Sequence, residues 1–307
     1  MTGQLKVITV LFILFSLPKL NYAQVESLFN DIRLDESLET AIIKLKLISD
    51  QNEIFTVQPA VFPIARDRED HLVCYNVKTE HGIIDKAVFL FADNKLCYIE
   101  AKGNAYAVLN AKRQDSSRKY MDYDVYFEDK LFLKSTSDQA WILNNEAMHL
   151  NLFTWENPYL TEEDRSNETY NNSGKIPAFL KMGAELDALK PQLESNSKIT
   201  HTEELDGSDP NAQLQVNCFG VNYLGFPRKF ELRFGENKLN VVWILTAKGE
   251  EDRIRQELIK YYGQPIYSND DWEIYDNWQI GLRLDKPEVL VMTKAIGQYY
   301  KKEYFKQ

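Results

Sequence analysis

The sequence reads as one pattern written twice. Phe91-Ala92-Asp93-Asn94-Lys95-Leu96 is matched by Phe234-Gly235-Glu236-Asn237-Lys238-Leu239, at an offset of 143, and Cys74 by Cys218, at 144. Lys119-Tyr120, followed by Val125-Tyr126, is matched by Lys260-Tyr261, followed by Ile266-Tyr267, at 141. Ser137 and Trp141 are matched by Ser268 and Trp272, at 131, which predicts an insertion of ten residues near 127–136 in the first copy. Four matches in one order point to a tandem duplication. A chain of 307 residues has the length of two ordinary domains.

The better-ordered copy predicts its own elements. Phe230, Leu232 and Phe234 alternate with Lys229, Glu231 and Arg233, the signature of a half-buried strand. Asn237-Lys238 breaks the run, and Leu239, Val241, Trp243 and Leu245 resume it, giving a hairpin. Glu250, Glu251 and Asp252 then open a helix, where carboxylates complement the dipole. Ile254, Leu258 and Tyr261 share one face of it, and Gly263 and Pro265 end it. Trp272 and Ile274, then Ile280, Leu282 and Leu284, then Val289 to Met292 mark further strands.

The first copy predicts a helix over 35–49, strands over 70–79 and 86–100, a weaker helix over 104–121 and more strand over 140–153. There Met148, Leu150 and Leu152 alternate like Ile280, Leu282 and Leu284. The opening helix has its counterpart at 177–193. The fold class expected is α+β: two tandem duplicated domains, each an antiparallel sheet with helices packed on one face. The copies run over 24–156 and 177–307, the latter ending in a basic aromatic helical tail. The polar stretch 157–176 reads as a linker.

Residues 1–23 have the three parts of a secretory signal peptide: Lys6, an apolar run of eleven residues from Val7 to Leu17, and Ala23 before the cut. The run is too short to span a bilayer, which takes about 20 apolar residues. The Tyr-Ala-Gln ending resembles signal peptides of Bacteroidota. A periplasmic or extracellular protein is expected, with no transmembrane segment in the mature chain. The net charge of −10 over the full 307 residues argues against nucleic acid as a partner, since phosphates need Lys and Arg to displace their counterions.

Chemistry is sparse in the pattern. His71, His81, His149 and His201 stand alone, without metal-ligand spacing, and no metal or cofactor is expected. No serine-hydrolase, P-loop or dinucleotide signature occurs. Cys74, Cys97 and Cys218 cannot all pair. A turn centred near Gly82 would set residue 74 opposite about residue 90, leaving Cys97 out of register, so buried free thiols are expected.

The aromatics carry the binding expectation. Trp141 and Trp272, at matched positions, are expected in the two cores. Trp278, Tyr275, Tyr267 and Tyr262 are candidate surface anchors, since Trp and Tyr are favoured at binding hot spots. Trp155, beside Pro158 and Tyr159, is the fifth binding candidate, placed where the linker meets the first domain.

The run Lys229-Phe-Glu-Leu-Arg-Phe234, Asn237-Lys-Leu239, then an acidic-start helix, Tyr261-Tyr-Gly-Gln-Pro265 and a Trp strand resembles small exported α+β modules. Beta-lactamase-inhibitor-like proteins and small outer-membrane assembly lipoproteins are examples. The resemblance covers most of 176–293 and, more weakly, 35–155. It implies action by contact with another envelope or secreted protein, without a catalytic centre. The competing expectation is a hydrolase of glycan or peptidoglycan, with two close carboxyls in a cleft between the copies and one of raised pKa.

Overall fold

The computed structural model describes residues 29–111, 113, 116–160 and 172–307. The signal-peptide expectation and residues 161–171 of the expected linker lie outside them. The first half runs α1 (Leu38–Leu45), β1 (Gln51–Val57), β2 (Glu69–Thr79), β3 (Gly82–Ala92), β4 (Lys95–Lys102), α2 (Ala105–Asn110), β5 (Arg118–Tyr120), β6 (Tyr123–Tyr126), β7 (Leu131–Lys134), β8 (Gln139–Leu143) and α3 (Asn145–His149). The second repeats it element for element: α4 (Leu186–Ser195), β9 (Ile199–Glu204), β10 (Leu214–Tyr223), β11 (Phe226–Gly235), β12 (Lys238–Leu245), α5 (Glu251–Tyr262), β13 (Tyr267–Ser268), β14 (Trp272–Tyr275), β15 (Ile280–Arg283), β16 (Glu288–Met292) and α6 (Lys294–Glu303).

Each half forms one eight-stranded antiparallel sheet, ordered β1-β2-β3-β4-β8-β7-β6-β5 and, as its counterpart, β9-β10-β11-β12-β16-β15-β14-β13. Two four-stranded meanders are joined through their last strands, with a helix as the crossover. The Asn-Lys-Leu motif recurs for a backbone reason. Asp93 and Asn94 (φ 46° and 66°) and Glu236 and Asn237 (φ 50° and 61°) all take left-handed conformations. Two such residues make the tight turn whose twist suits a two-residue hairpin. Even a helix cap is repeated: Asn144 and Thr293 accept from the backbone N–H three residues on and open α3 and α6.

Two of the four sequence matches are corrected. Lys119-Tyr120 lies on β5, whereas Lys260-Tyr261 lies in α5. Val125-Tyr126 belongs to β6, but Ile266-Tyr267 leads into β13. Trp141 sits on β8, whose counterpart is β16, while Trp272 is on β14. In the true register Tyr126 faces Leu131 as Tyr275 faces Ile280. The added length is therefore in the second copy, where α5 has 12 residues against 6 in α2. Aromatic identity at short spacing misled because Tyr and Trp are abundant in both halves. The expected strand over 140–153 also ends at Leu143; Met148 belongs to α3, and Leu152 to a 3-10 turn.

Helices do not keep to one face, as expected, but cover both. In the first half Phe89 and Phe91 of β3 pack with α1, α2, Phe29 and Ile32. In the second, Phe230, Leu232 and Phe234 pack with α4 and α5. The opposite face of the second sheet, Val241, Leu290 and Met292, is covered by Ile296 of α6. The opposite face of the first sheet, including Leu90, Tyr98, Phe132 and Trp141, shares one core with Phe219, Phe226, Leu245 and Ala247 of the second half. The halves thus meet through a continuous apolar contact.

All three cysteines are free and buried. Cys74 pairs across the hairpin with Ala87, three residues from the expected partner, because the turn falls at Glu80-His81. The start of the expected linker is packed rather than extended: Asn157 is fully buried and Leu160 sits against Val73 and Val88. Among the described residues no helix is long and apolar enough to cross a membrane.

Candidate functional site

The junction of the halves encloses a cavity of about 420 Å³. Its wall is a cluster of three rings, two from the first half and one from the second. Phe62 lies 5.4 Å from Trp155 and 5.8 Å from Phe226, and Trp155 lies 5.4 Å from Phe226. Opposed to them are Tyr159, stacked on Phe55 at 4.5 Å, and His71, 4.6 Å from Tyr159. Volume and lining fit a small-ligand or side-chain pocket, which is commonly about 300–1,000 Å³ and mainly apolar with a few placed polar groups.

Local sequence explains how these residues arrive. The chain between β1 and β2 carries Phe62 out of the first sheet. Arg253 in the first turn of α5 holds that loop, donating to the carbonyl oxygens of Phe62 (3.4 Å) and Pro63 (3.2 Å). Arg253 is aimed by Glu250, which also binds Arg228. On the second-half side β10 bulges between Cys218 and Val221. Gly220 lies in the bulge with φ 77°, and a Cβ there would come within 2.8 Å of Lys198 Cβ. The bulge turns the strand end toward the cavity, and only glycine allows the approach. Lys198 then reaches Glu156 across the halves at 2.7 Å.

Behind the wall runs a buried polar chain. Glu69 accepts from the backbone N–H of Val61 and Phe62, and lies 3.3 Å from His71 Nε2. Asn157 Oδ1 accepts from Tyr159 N, which fixes the amide so that its Nδ2 donates to His71 Nδ1 at 2.9 Å. His71 Nδ1 is therefore an acceptor and its proton sits on Nε2, facing Glu69. Asn157 N donates to Glu100 Oε2 at 2.7 Å, Tyr98 donates to the same oxygen at 2.6 Å, and Gln139 donates to Oε1 at 3.2 Å. Burial pushes the Glu100 carboxyl up to about 8, against the pull of those donors.

A raised carboxyl beside a cleft is what the hydrolase expectation asks for. Glu100, however, is wholly buried, and both its oxygens are engaged. Both oxygens of Glu69 are engaged as well. Glycosidic cleavage needs two carboxyls that both reach the substrate; these two are arranged to hold loops.

Of the five sequence-derived candidates, only Trp155 lines the cavity. Tyr275 and Trp278 are corrected: both are buried, 0% and 6% exposed, and cannot act as free anchors. Tyr275 belongs to the core under α5, and Trp278 packs on Phe305 of the tail at 5.3 Å. Tyr267 packs on Trp278 in a tilted arrangement, with ring centroids 5.4 Å apart. Tyr262 turns its hydroxyl to accept from Ile176 N at 2.8 Å. None of these four is at the junction. Sequence reasoning missed Phe62, Phe226, Glu69 and Lys198, which come together only through contact between the copies. Pro158-Tyr159 after Trp155 was the one local signal.

Compared with protein-family models, curated proteins and solved structures, the chain has no significant match to any of them.

Proposed function

We propose that this is an exported, non-catalytic binding protein of the cell envelope or periplasm, acting by contact with another envelope or secreted protein at the cavity between its two halves. The observation that carries the reading is the ring wall of Phe62, Trp155 and Phe226, drawn from both copies around an open volume. Duplication supplies what one copy lacks, a concave surface between two sheets. Rigid aromatic rings give contact area at low entropic cost, the common basis of binding hot spots. The nearby carboxyls support binding over hydrolysis, because they are committed to the loops that shape the wall.

The test is site-directed photo-crosslinking in cells, with the reactive group in place of Val61. Val61 lines the cavity and is 47% exposed. A discrete adduct with one protein, lost when Phe226→Ala is added to a variant that still folds, supports the reading. An adduct pattern indifferent to Phe226→Ala overturns it.

A further inference from the structure

The charges of the cavity identify the kind of group it takes. Among the described residues its charged lining is Glu69 and Glu156 against Lys198. Lys198 is paired with Glu156. Glu69 has neither Lys nor Arg within ion-pair distance among the described residues; its one ion-pair neighbour is His71, in the uncharged tautomer set by Asn157. The contrast with the second half is sharp. There the buried carboxylate Glu250 is met by both Arg228 and Arg253. Glu69 is thus a nearly buried carboxylate, with its side chain 7% exposed, on the wall of a cavity lined by aromatic rings and with no Lys or Arg partner among the described residues.

We infer that the cavity receives the cationic side chain of a partner polypeptide, an arginine in first place, with its guanidinium against the ring wall and its charge answering Glu69. Aromatic faces attract cations through the ring quadrupole, and arginine also stacks on them. An arginine side chain is long enough to enter while its backbone stays outside, and flexible enough to pass the Lys198–Glu156 pair. The chain's net charge of −10 favours a basic partner approaching over the same surface. The oxygens of Glu69 already accept from Val61 N and Phe62 N, so an uncharged aromatic side chain would fill the volume but leave the negative charge there without a counter-cation.

This inference rests on the binding reading, and its test separates the two. The full chain is titrated with a blocked Ala-Arg-Ala peptide and with its citrulline counterpart, which has the same shape and no charge. The readout is the Trp155 indole N–H resonance, assigned from Trp155→Phe. The arginine peptide is expected to shift it saturably, with the citrulline peptide about tenfold weaker or worse. Two substitutions in the partly exposed Lys198–Glu156 pair, with side chains 46% and 28% exposed, break the same bridge but change the charge in opposite directions. Lys198→Met should tighten the arginine peptide about threefold and Glu156→Gln weaken it by a similar factor, the size of one unit charge acting through a partly solvated path. Both effects should shrink with added salt. Equal binding of the citrulline peptide, no saturable shift, or no response to Lys198→Met overturns the inference. Free spermidine outcompeting the peptide at equal concentration overturns it in favour of a small-cation site. A rim crosslink at Val61 without an arginine response leaves the protein-binding reading standing and this inference refuted. An arginine response without any crosslinked protein overturns the partner-protein reading and leaves only the cavity's preference for an arginine side chain.

Discussion

Arg228 and Glu250 form a two-point ion pair with almost no solvent contact: Nη1 lies 2.7 Å from Oε1 and Nη2 2.9 Å from Oε2, with side-chain exposures of 2% and 0%. Glu250 also receives Ala247 N and Arg253. One carboxylate therefore ties β11 to the start of α5 and, through Arg253, to the loop bearing Phe62.

Removing that carboxylate strands two arginines. Glu250→Ala is expected to lower stability by about 3–5 kcal/mol, the range for breaking a buried pair by removing one partner. Burial opposes the charge on Glu250, but the Arg228 guanidinium prevails and holds its carboxyl below the ordinary 4.5. Its stabilising contribution is thus complete above about pH 4.5 and is lost as pH falls through the depressed value. Urea titrations of wild type and Glu250→Ala between pH 3 and 7 check this: the difference between them should narrow toward acid.

Glu100 has the opposite sign. Its folded carboxyl, raised to about 8 by burial, binds a proton that the unfolded chain releases near 4.5. Stability from this group is full below 4.5 and is lost as pH climbs to about 8, a total of a few kcal/mol. Glu100→Gln keeps an oxygen for Asn157 N and Tyr98 and cannot ionise. The variant is expected to be more stable than wild type at pH 9 and to lie close to it at pH 5, as read from denaturant midpoints.

The three thiols should be silent in the native protein. Burial pushes Cys74 up to about 12 and Cys218 up to about 11, and Cys97 higher still. Since only the thiolate reacts, iodoacetamide at pH 8 should label none of the three quickly and all three once urea unfolds the chain. Rapid labelling of a folded thiol would show that the packing around it is looser than described.

The tail is held by a close backbone contact. A Cβ on Gly297 would come within 2.0 Å of the Trp278 carbonyl oxygen, a backbone atom that cannot step aside. Gly297→Ala is expected to lift α6 from the second sheet and destabilise the protein by about 1–3 kcal/mol, the scale of overpacking. Near-ultraviolet circular dichroism should report it, because Phe305 packs on Trp278 and Trp272.

Sequence carried the duplication, the α+β class and most strands of the second copy, because β10 to β12 alternate cleanly with one sheet face buried. It failed where a second face is also buried. Residues 140–143 are all buried, so no alternation marks where β8 ends, and the cap at Asn144 that starts α3 was overlooked. The helix expected over 104–121 is confined to Ala105–Asn110, and Arg118–Tyr120 forms a short edge strand instead. The site was nearly illegible. Phe62 and Phe226 are 164 positions apart, and nothing local says that a loop of one copy will lie on a strand of the other. Tyr275 and Trp278 misled because residue type alone does not tell a hot-spot ring from a core ring.

Binding is proposed to occur where the two copies meet. The most direct test places one photo-reactive residue at Val61 on the cavity and another at Ile83, at the far end of the β2–β3 hairpin and equally exposed at 47%, in cells making the full chain. A single dominant protein adduct is expected from position 61, absent from position 83 and competed by the arginine peptide. The same adducts from both positions, or a dominant adduct from position 83 alone, would contradict it.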